Sequence, residues 1–132
     1  MPRQTKSGAG LTPLELEIMN VLWEVGPANV QTVQARLEGR NLAYTTVQTM
    51  LNILHRKGKV KRRLKDRAYV YQPVLSRQRA IGQAIRDMLD RFFEGSADRL
   101  VLNLIETRQI SPERLASIHK LLEQPRSEKD GD

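Results

Sequence analysis

The apolar residues of the N-terminal half recur at helical spacing in three successive segments. In the first, Leu14, Ile18, Met19, Val21, Leu22 and Val25 form a broad stripe. Thr12-Pro13-Leu14-Glu15 opens it as a capping box, with a hydroxyl N-cap, proline at the first helical position and glutamate at the third, and Gly26-Pro27 closes it. Trp23 lies beside the stripe and reads as a packing residue, not a platform for stacked bases. Asn29 is the N-cap of a second helix running to about Leu37, with Val30, Val33 and Leu37 on one face and Glu38-Gly39-Arg40-Asn41 ending it. The third, over about 44–57, places Val47, Met50, Leu51 and Leu54 at i, i+3, i+4 and i+7 and stops at Gly58. The pattern then turns strand-like over Val60–Leu64 and Ala68–Gln72, either side of Lys65-Asp66-Arg67, whose aspartate suits a turn. Three helices followed by a hairpin predict a winged helix-turn-helix, with the third helix entering the major groove and the hairpin as its wing (60–72).

Beyond Ser76 the chain is helical throughout. Ile81, Ala84, Ile85, Met88, Leu89, Phe92 and Phe93 mark a long amphipathic helix ending at Gly95. A second, from Ser96 to about Arg108, is apolar nearly all round at Leu100, Val101, Leu102, Leu104 and Ile105. The last begins at Ser111-Pro112-Glu113 and carries Leu115, Ile118, Leu121 and Leu122 before Pro125. Three helices in about 50 residues cannot bury so many large apolar groups alone, and an all-round apolar helix demands a cover. A second copy is the simplest one, making Ile85, Met88, Phe92, Leu100, Val101, Leu102, Leu104, Ile105, Leu115, Ile118 and Leu122 the dimer seam. The rival is packing of these helices on the head of their own chain. The fold class is thus mostly α with a small β wing: a flexible basic tail over 1–10, a winged-helix domain over 11–75, a three-helix dimerisation region over 76–124 and a charged tail over 125–132.

Charge adds a partner to this picture. Residues 1–75 hold 12 Lys and Arg against 5 Asp and Glu, whereas residues 76–132 hold 10 of each, so the net charge of +7 sits entirely in the head. The 13 residues from His55 to Arg67 contribute four Lys and four Arg against one Asp. A single-sign run repels itself and is tolerated best against a polyanion. The polar face of the third helix offers Thr45, Thr49, Asn52 and Arg56, with Gln48 at its edge and Thr46 to the side, side chains suited to base edges and phosphates. With Lys61, Arg62, Arg63, Lys65 and Arg67 of the wing, these are the candidate contacts to double-stranded DNA. A winged helix that binds RNA or the ribosome, or DNA without sequence preference, is the alternative that charge alone leaves open.

Other chemistries find little support. Without cysteine there is no disulfide, thiolate metal site or cysteine nucleophile. Asp87, Asp90 and Glu94 share a face that could hold a hard cation, but Arg86 and Arg91 stand among them and a solvated face is the plainer reading. Neither His55 nor His119 has a carboxylate or second histidine at ligand spacing in this reading, and glycine-rich phosphate loops and nucleophile motifs are missing. We expect a protein that is not an enzyme, takes no cofactor or metal, crosses no membrane and works in the cytoplasm.

The blocks LTPLELEIMNVLWEVGPANVQTVQARL, AYTTVQTMLNILHRKGKVKR and RAYVYQPVLS, in that order, resemble the penicillinase-repressor family of bacterial transcription regulators, the BlaI/MecI/CopY type, over about residues 11 to 123. The resemblance implies a homodimer whose winged helices bind a pseudo-palindromic operator of TACA/TGTA type. It also implies one of two release routes: cleavage in the dimerisation region through a sensor metalloprotease pathway, or metal uptake by a C-terminal cysteine cluster. Lacking cysteine, the chain departs from the copper-responsive pattern. Leu100-Val101-Leu102-Asn103-Leu104-Ile105-Glu106 resembles the block around the cleaved bond and puts the candidate bond at Asn103-Leu104, although Leu104 replaces the family's phenylalanine. Ala43 is a second departure, because the N-cap of a recognition helix ordinarily carries a side-chain oxygen.

Overall fold

A computed structural model describes residues 10–124. The expected N-terminal and C-terminal tails lie essentially outside that range. In chain order the elements are α1 (Pro13–Val25), α2 (Val30–Arg36), a single 3-10 turn (Glu38–Arg40), α3 (Tyr44–Arg56), β1 (Val60–Lys65), β2 (Ala68–Pro73), α4 (Arg77–Phe92), α5 (Ala97–Glu106) and α6 (Pro112–Leu122). This is the expected winged helix-turn-helix followed by helices.

Local chemistry sets the boundaries. The capping box forms in full: the Thr12 hydroxyl accepts from the Glu15 N–H at 3.2 Å and the Glu15 carboxylate accepts from the Thr12 N–H at 2.9 Å. Gly26, at φ 86°, ends α1 in a conformation other residues avoid. Asn29 Oδ1 accepts from the Thr32 N–H at 2.9 Å and starts α2, which ends one residue early because Leu37 turns out of helical geometry. Asn41, at φ 56°, then redirects the chain toward α3.

β1 and β2 pair antiparallel with Lys65 opposite Ala68, so the turn is tighter than the three residues expected. Only Asp66 and Arg67 make it, and both have positive φ (52° and 70°), as a hairpin of type I′ requires to match the strand twist. Tyr71 of β2 exchanges backbone hydrogen bonds with Ala28, at 2.9 and 2.8 Å, so the segment between α1 and α2 extends the wing by one bridge.

The described residues divide into two compact units between Ile85 and Arg86, within α4. In the first, Ile18 and Leu22 of α1, Val33 of α2, Val47, Leu51 and Leu54 of α3, and Tyr71 of β2 are fully buried and form one core. Trp23 packs partly buried against it and donates its indole N–H to the Leu75 carbonyl at 3.0 Å, which confirms a packing role. Glu15 is also buried, a position the stripe did not anticipate. In the second unit Ser96 and Ser111 cap α5 and α6 by accepting from the N–H groups of Arg99 and Arg114. No residue of α4, α5 or α6 is buried.

Candidate nucleic-acid interface

α3 presents its polar face outward because its apolar stripe is committed to the core. Thr45, Thr46, Gln48, Thr49 and Arg56 are exposed, while Val47, Leu51 and Leu54 are buried beneath them. Ala43 supplies no side-chain cap, so the first turn keeps backbone N–H groups without a side-chain acceptor. Tyr44 is exposed at that same turn, beside the threonines. Asn52 differs from its neighbours. It is half-buried, and its Oδ1 accepts both from an Arg62 guanidinium nitrogen and from the Tyr71 hydroxyl, each at 2.9 Å.

Strand alternation sorts the wing's charges. Lys61, Arg63 and Lys65 share one face and are exposed, whereas Val60, Arg62 and Leu64 point to the other. On that second face Val60 and Tyr71 are buried, and the Arg62 guanidinium lies 4.1 Å from the centre of the Tyr69 ring. Toward the tip, Leu64 is 65% exposed opposite half-exposed Tyr69, an apolar pair that the charge count concealed. Arg67 is exposed in the turn.

Lys57 belongs to the basic run by sequence but not by use. Its ammonium donates to both carboxylate oxygens of Glu15, at 2.8 and 2.9 Å. Burial alone would push the Glu15 carboxyl upward, but the Lys57 hydrogen bonds, the Thr12 backbone N–H and the Lys57 charge outweigh it and hold it below 4.5. The pair ties the start of α1 to the end of α3.

Of the expected seam, Ile85, Met88, Phe92, Leu102, Ile118 and Leu122 are exposed, Phe92 at 76%, and Leu100, Val101, Leu104, Ile105 and Leu115 are half-buried. Asn103 and Leu104 lie within α5, where the Asn103 carbonyl accepts from the N–H and hydroxyl of Thr107 at 2.9 and 2.7 Å. Among the described residues no three His, Asp or Glu side chains come together as a metal site. The reading of His119 needs correction, because Glu123 stands one turn further on and its carboxylate lies 3.1 Å from Nε2; both side chains are exposed, an ordinary surface pair. No described helix is long and apolar enough to cross a membrane.

Known proteins are similar to this chain. The chain is 30% identical over 120 residues to the penicillinase repressor of Bacillus licheniformis, covering 90% of this chain and 94% of that one. It is 34% identical over 99 residues to the transcriptional regulator BlaI of Mycobacterium tuberculosis, covering 73% and 72%. Among solved structures, a transcriptional regulator from Thermotoga maritima superposes with a TM-score of 0.51 at 19% identity, over 86% of this chain and 72% of that one, which is a likeness of fold. The DNA-binding domain of the repressor BlaI, solved in solution, is 30% identical and covers 55% of this chain and 90% of that one, with a TM-score of 0.49. The profile of the penicillinase repressor family matches residues 11–124, and with the relatives just described it establishes that the chain belongs to that family.

Proposed function

We propose that the protein is a homodimeric transcriptional repressor that binds a pseudo-palindromic operator of TACA/TGTA type. The observation that carries this reading is the exposed polar face of α3 adjoining a wing whose Lys61, Arg63 and Lys65 line one open face. Thr45, Thr46, Gln48 and Thr49 read base edges in the major groove, and Arg56, Lys61, Arg63, Lys65 and Arg67 hold phosphates. The uncapped first turn of α3 offers further N–H donors to a phosphate. A second copy covers the apolar residues of α4–α6, consistent with their having no buried position in a single chain. Two heads at fixed separation then engage two half-sites, which a single head cannot do.

Release through a sensor metalloprotease pathway is the finer part of the proposal. Cutting at Asn103-Leu104 removes α6 and the end of α5, and with them much of the seam. Because the bond lies inside a hydrogen-bonded helix, the end of α5 has to open before a protease can take it in extended form.

The test compares three probes at one salt concentration: a duplex with TACA/TGTA dyad symmetry, a random duplex and a structured RNA. The proposal expects the dyad duplex to bind about 10³-fold or more tighter than the random one, with two chains per site. Equal binding to both duplexes, or a preference for the RNA, refutes it.

A further inference from the structure

We propose that Asn52, Arg62 and Tyr71 form a brace that fixes the wing against α3, so that Asn52 and Arg62 act on DNA binding as positioning residues, not as contacts to base or phosphate. The DNA half of this proposal rests on the function proposed above.

Three parts of the head meet at one amide. Arg62 comes from β1, Tyr71 from β2 and Asn52 from α3, and both donors converge on Asn52 Oδ1 at 2.9 Å. An arginine only donates, so the atom facing it must be the amide oxygen, and the orientation of Asn52 is fixed by chemistry. The Tyr71 hydroxyl fills the remaining lone pair. Asn52 is left with N–H donors alone and cannot form the paired donor and acceptor bonds by which asparagine reads an adenine edge.

Each member of the brace is itself held. Tyr71 is buried, and its backbone is bonded in both directions to Ala28. The Arg62 guanidinium stacks over Tyr69. For Arg62 to reach a phosphate it would have to leave the ring and uncover a half-buried amide oxygen, whereas Lys61 and Arg63, one residue away on the open face, need break nothing. On β1, strand parity thus separates one cation that sets the wing's angle from three, Lys61, Arg63 and Lys65, that lie on the open face.

The experiment measures operator affinity across a range of salt for Arg62→Ala, Arg62→Lys, Tyr71→Phe and Arg63→Ala. It also measures urea unfolding of the free protein for Arg62→Ala, Asn52→Ala and the double variant. Arg62→Ala should weaken operator binding on the order of tenfold with an unchanged slope of log K against log[salt], while Arg63→Ala flattens the slope by about one. Arg62→Lys should behave like Arg62→Ala, since lysine keeps the charge but not the planar stack, and Tyr71→Phe should weaken binding in the same direction. In the free protein the Arg62 and Asn52 substitutions should be non-additive by about threefold or more in the folding constant. A slope lowered by Arg62→Ala and restored by Arg62→Lys would make Arg62 a phosphate clamp and overturn the positioning role. Additive effects in the free protein would overturn the brace. If wild-type protein binds no duplex, the proposed function fails, and the unfolding cycle still decides whether the brace exists.

Discussion

Replacing Lys57 by Met should destabilise the head more than replacing its partner, Glu15, by Gln, and the difference should vanish in acid. Glu15 is 2% exposed and takes hydrogen bonds from Lys57 and from the Thr12 N–H. Without Lys57 the carboxylate is buried with its charge unpaired, a situation that costs about 3–5 kcal/mol when no escape exists. Protonation is the escape. Neutralising a glutamate whose ordinary pKa is 4.5 costs about 3 kcal/mol at pH 7, at about 1.4 kcal/mol per pH unit, and that caps the penalty. Glu15→Gln keeps the capping pattern, and Lys57, whose side chain is 29% exposed, can turn to water, so a loss of about 1 kcal/mol is expected.

The pH dependence follows from the signs. In the wild type the folded-state value of Glu15 is lowered, so its contribution is fully present above pH 4.5 and fades as pH falls through the folded value. In Lys57→Met only the Thr12 hydrogen bonds still oppose the burial and the value rises above that of the wild type, so the variant's deficit against wild type is largest at pH 7 and shrinks toward pH 4.5. Urea unfolding at the two pH values, with circular dichroism as the signal, measures both. The reasoning is refuted if Lys57→Met costs no more than Glu15→Gln at pH 7, or if its deficit is unchanged at pH 4.5.

Three further outcomes are expected. Gln48→Ala or Thr49→Ala should cost about 1–3 kcal/mol on operator DNA and much less on random duplex, as titration of both duplexes will show. Changing the Asp66-Arg67 turn to Asn-Gly puts glycine at one positive-φ position and asparagine, which tolerates the left-handed region, at the other, and should raise stability on the order of 1 kcal/mol in urea unfolding. Leu102→Asp should leave the head folded by circular dichroism, because Leu102 is 58% exposed in the single chain, yet sediment as a monomer that binds one half-site weakly; a dimer, or a monomer with wild-type operator affinity, would sink the dimer reading.

The fold was largely legible because its signals are local and redundant. Thr12, Pro13 and Glu15 announce α1 within four residues, Asn29 and Ser111 do the same for α2 and α6, and the stripe of Val47, Leu51 and Leu54 is the buried face of α3. The misjudged details depend on partners distant in sequence or on backbone angles. Glu15 looked like a cap only, since its second partner lies 42 residues away. Tyr71 sat in a short alternating run like any half-exposed strand residue, and only the Ala28 bridge and the α3 side chains make it core. The tightness of the turn was hidden because neither Asp66 nor Arg67 is the glycine that usually signals positive φ.

The exposed polar face of α3 and the basic wing were legible in the sequence, whereas the side-chain partners of two cations in the basic run were not. A run of cations in a sequence measures charge, but it does not say which of those side chains are held by partners within the fold. Eight Lys and Arg lie between His55 and Arg67. Lys57 faces a buried carboxylate and Arg62 is held by an amide and a ring, which leaves six outside these two sets of contacts. The two withdrawn cations lie at the end of α3 and in the first half of β1, where the recognition helix meets α1 and the wing. Charge has gone into geometry there: the Glu15–Lys57 pair fixes α3 relative to α1, and the Arg62–Asn52 contact fixes the wing relative to α3. On the function proposed above, short side chains such as Thr45, Thr46 and Thr49 meet the bases and have little reach to correct a misplaced helix. Cations held inside the head then contribute to recognition by keeping those short side chains at reading distance.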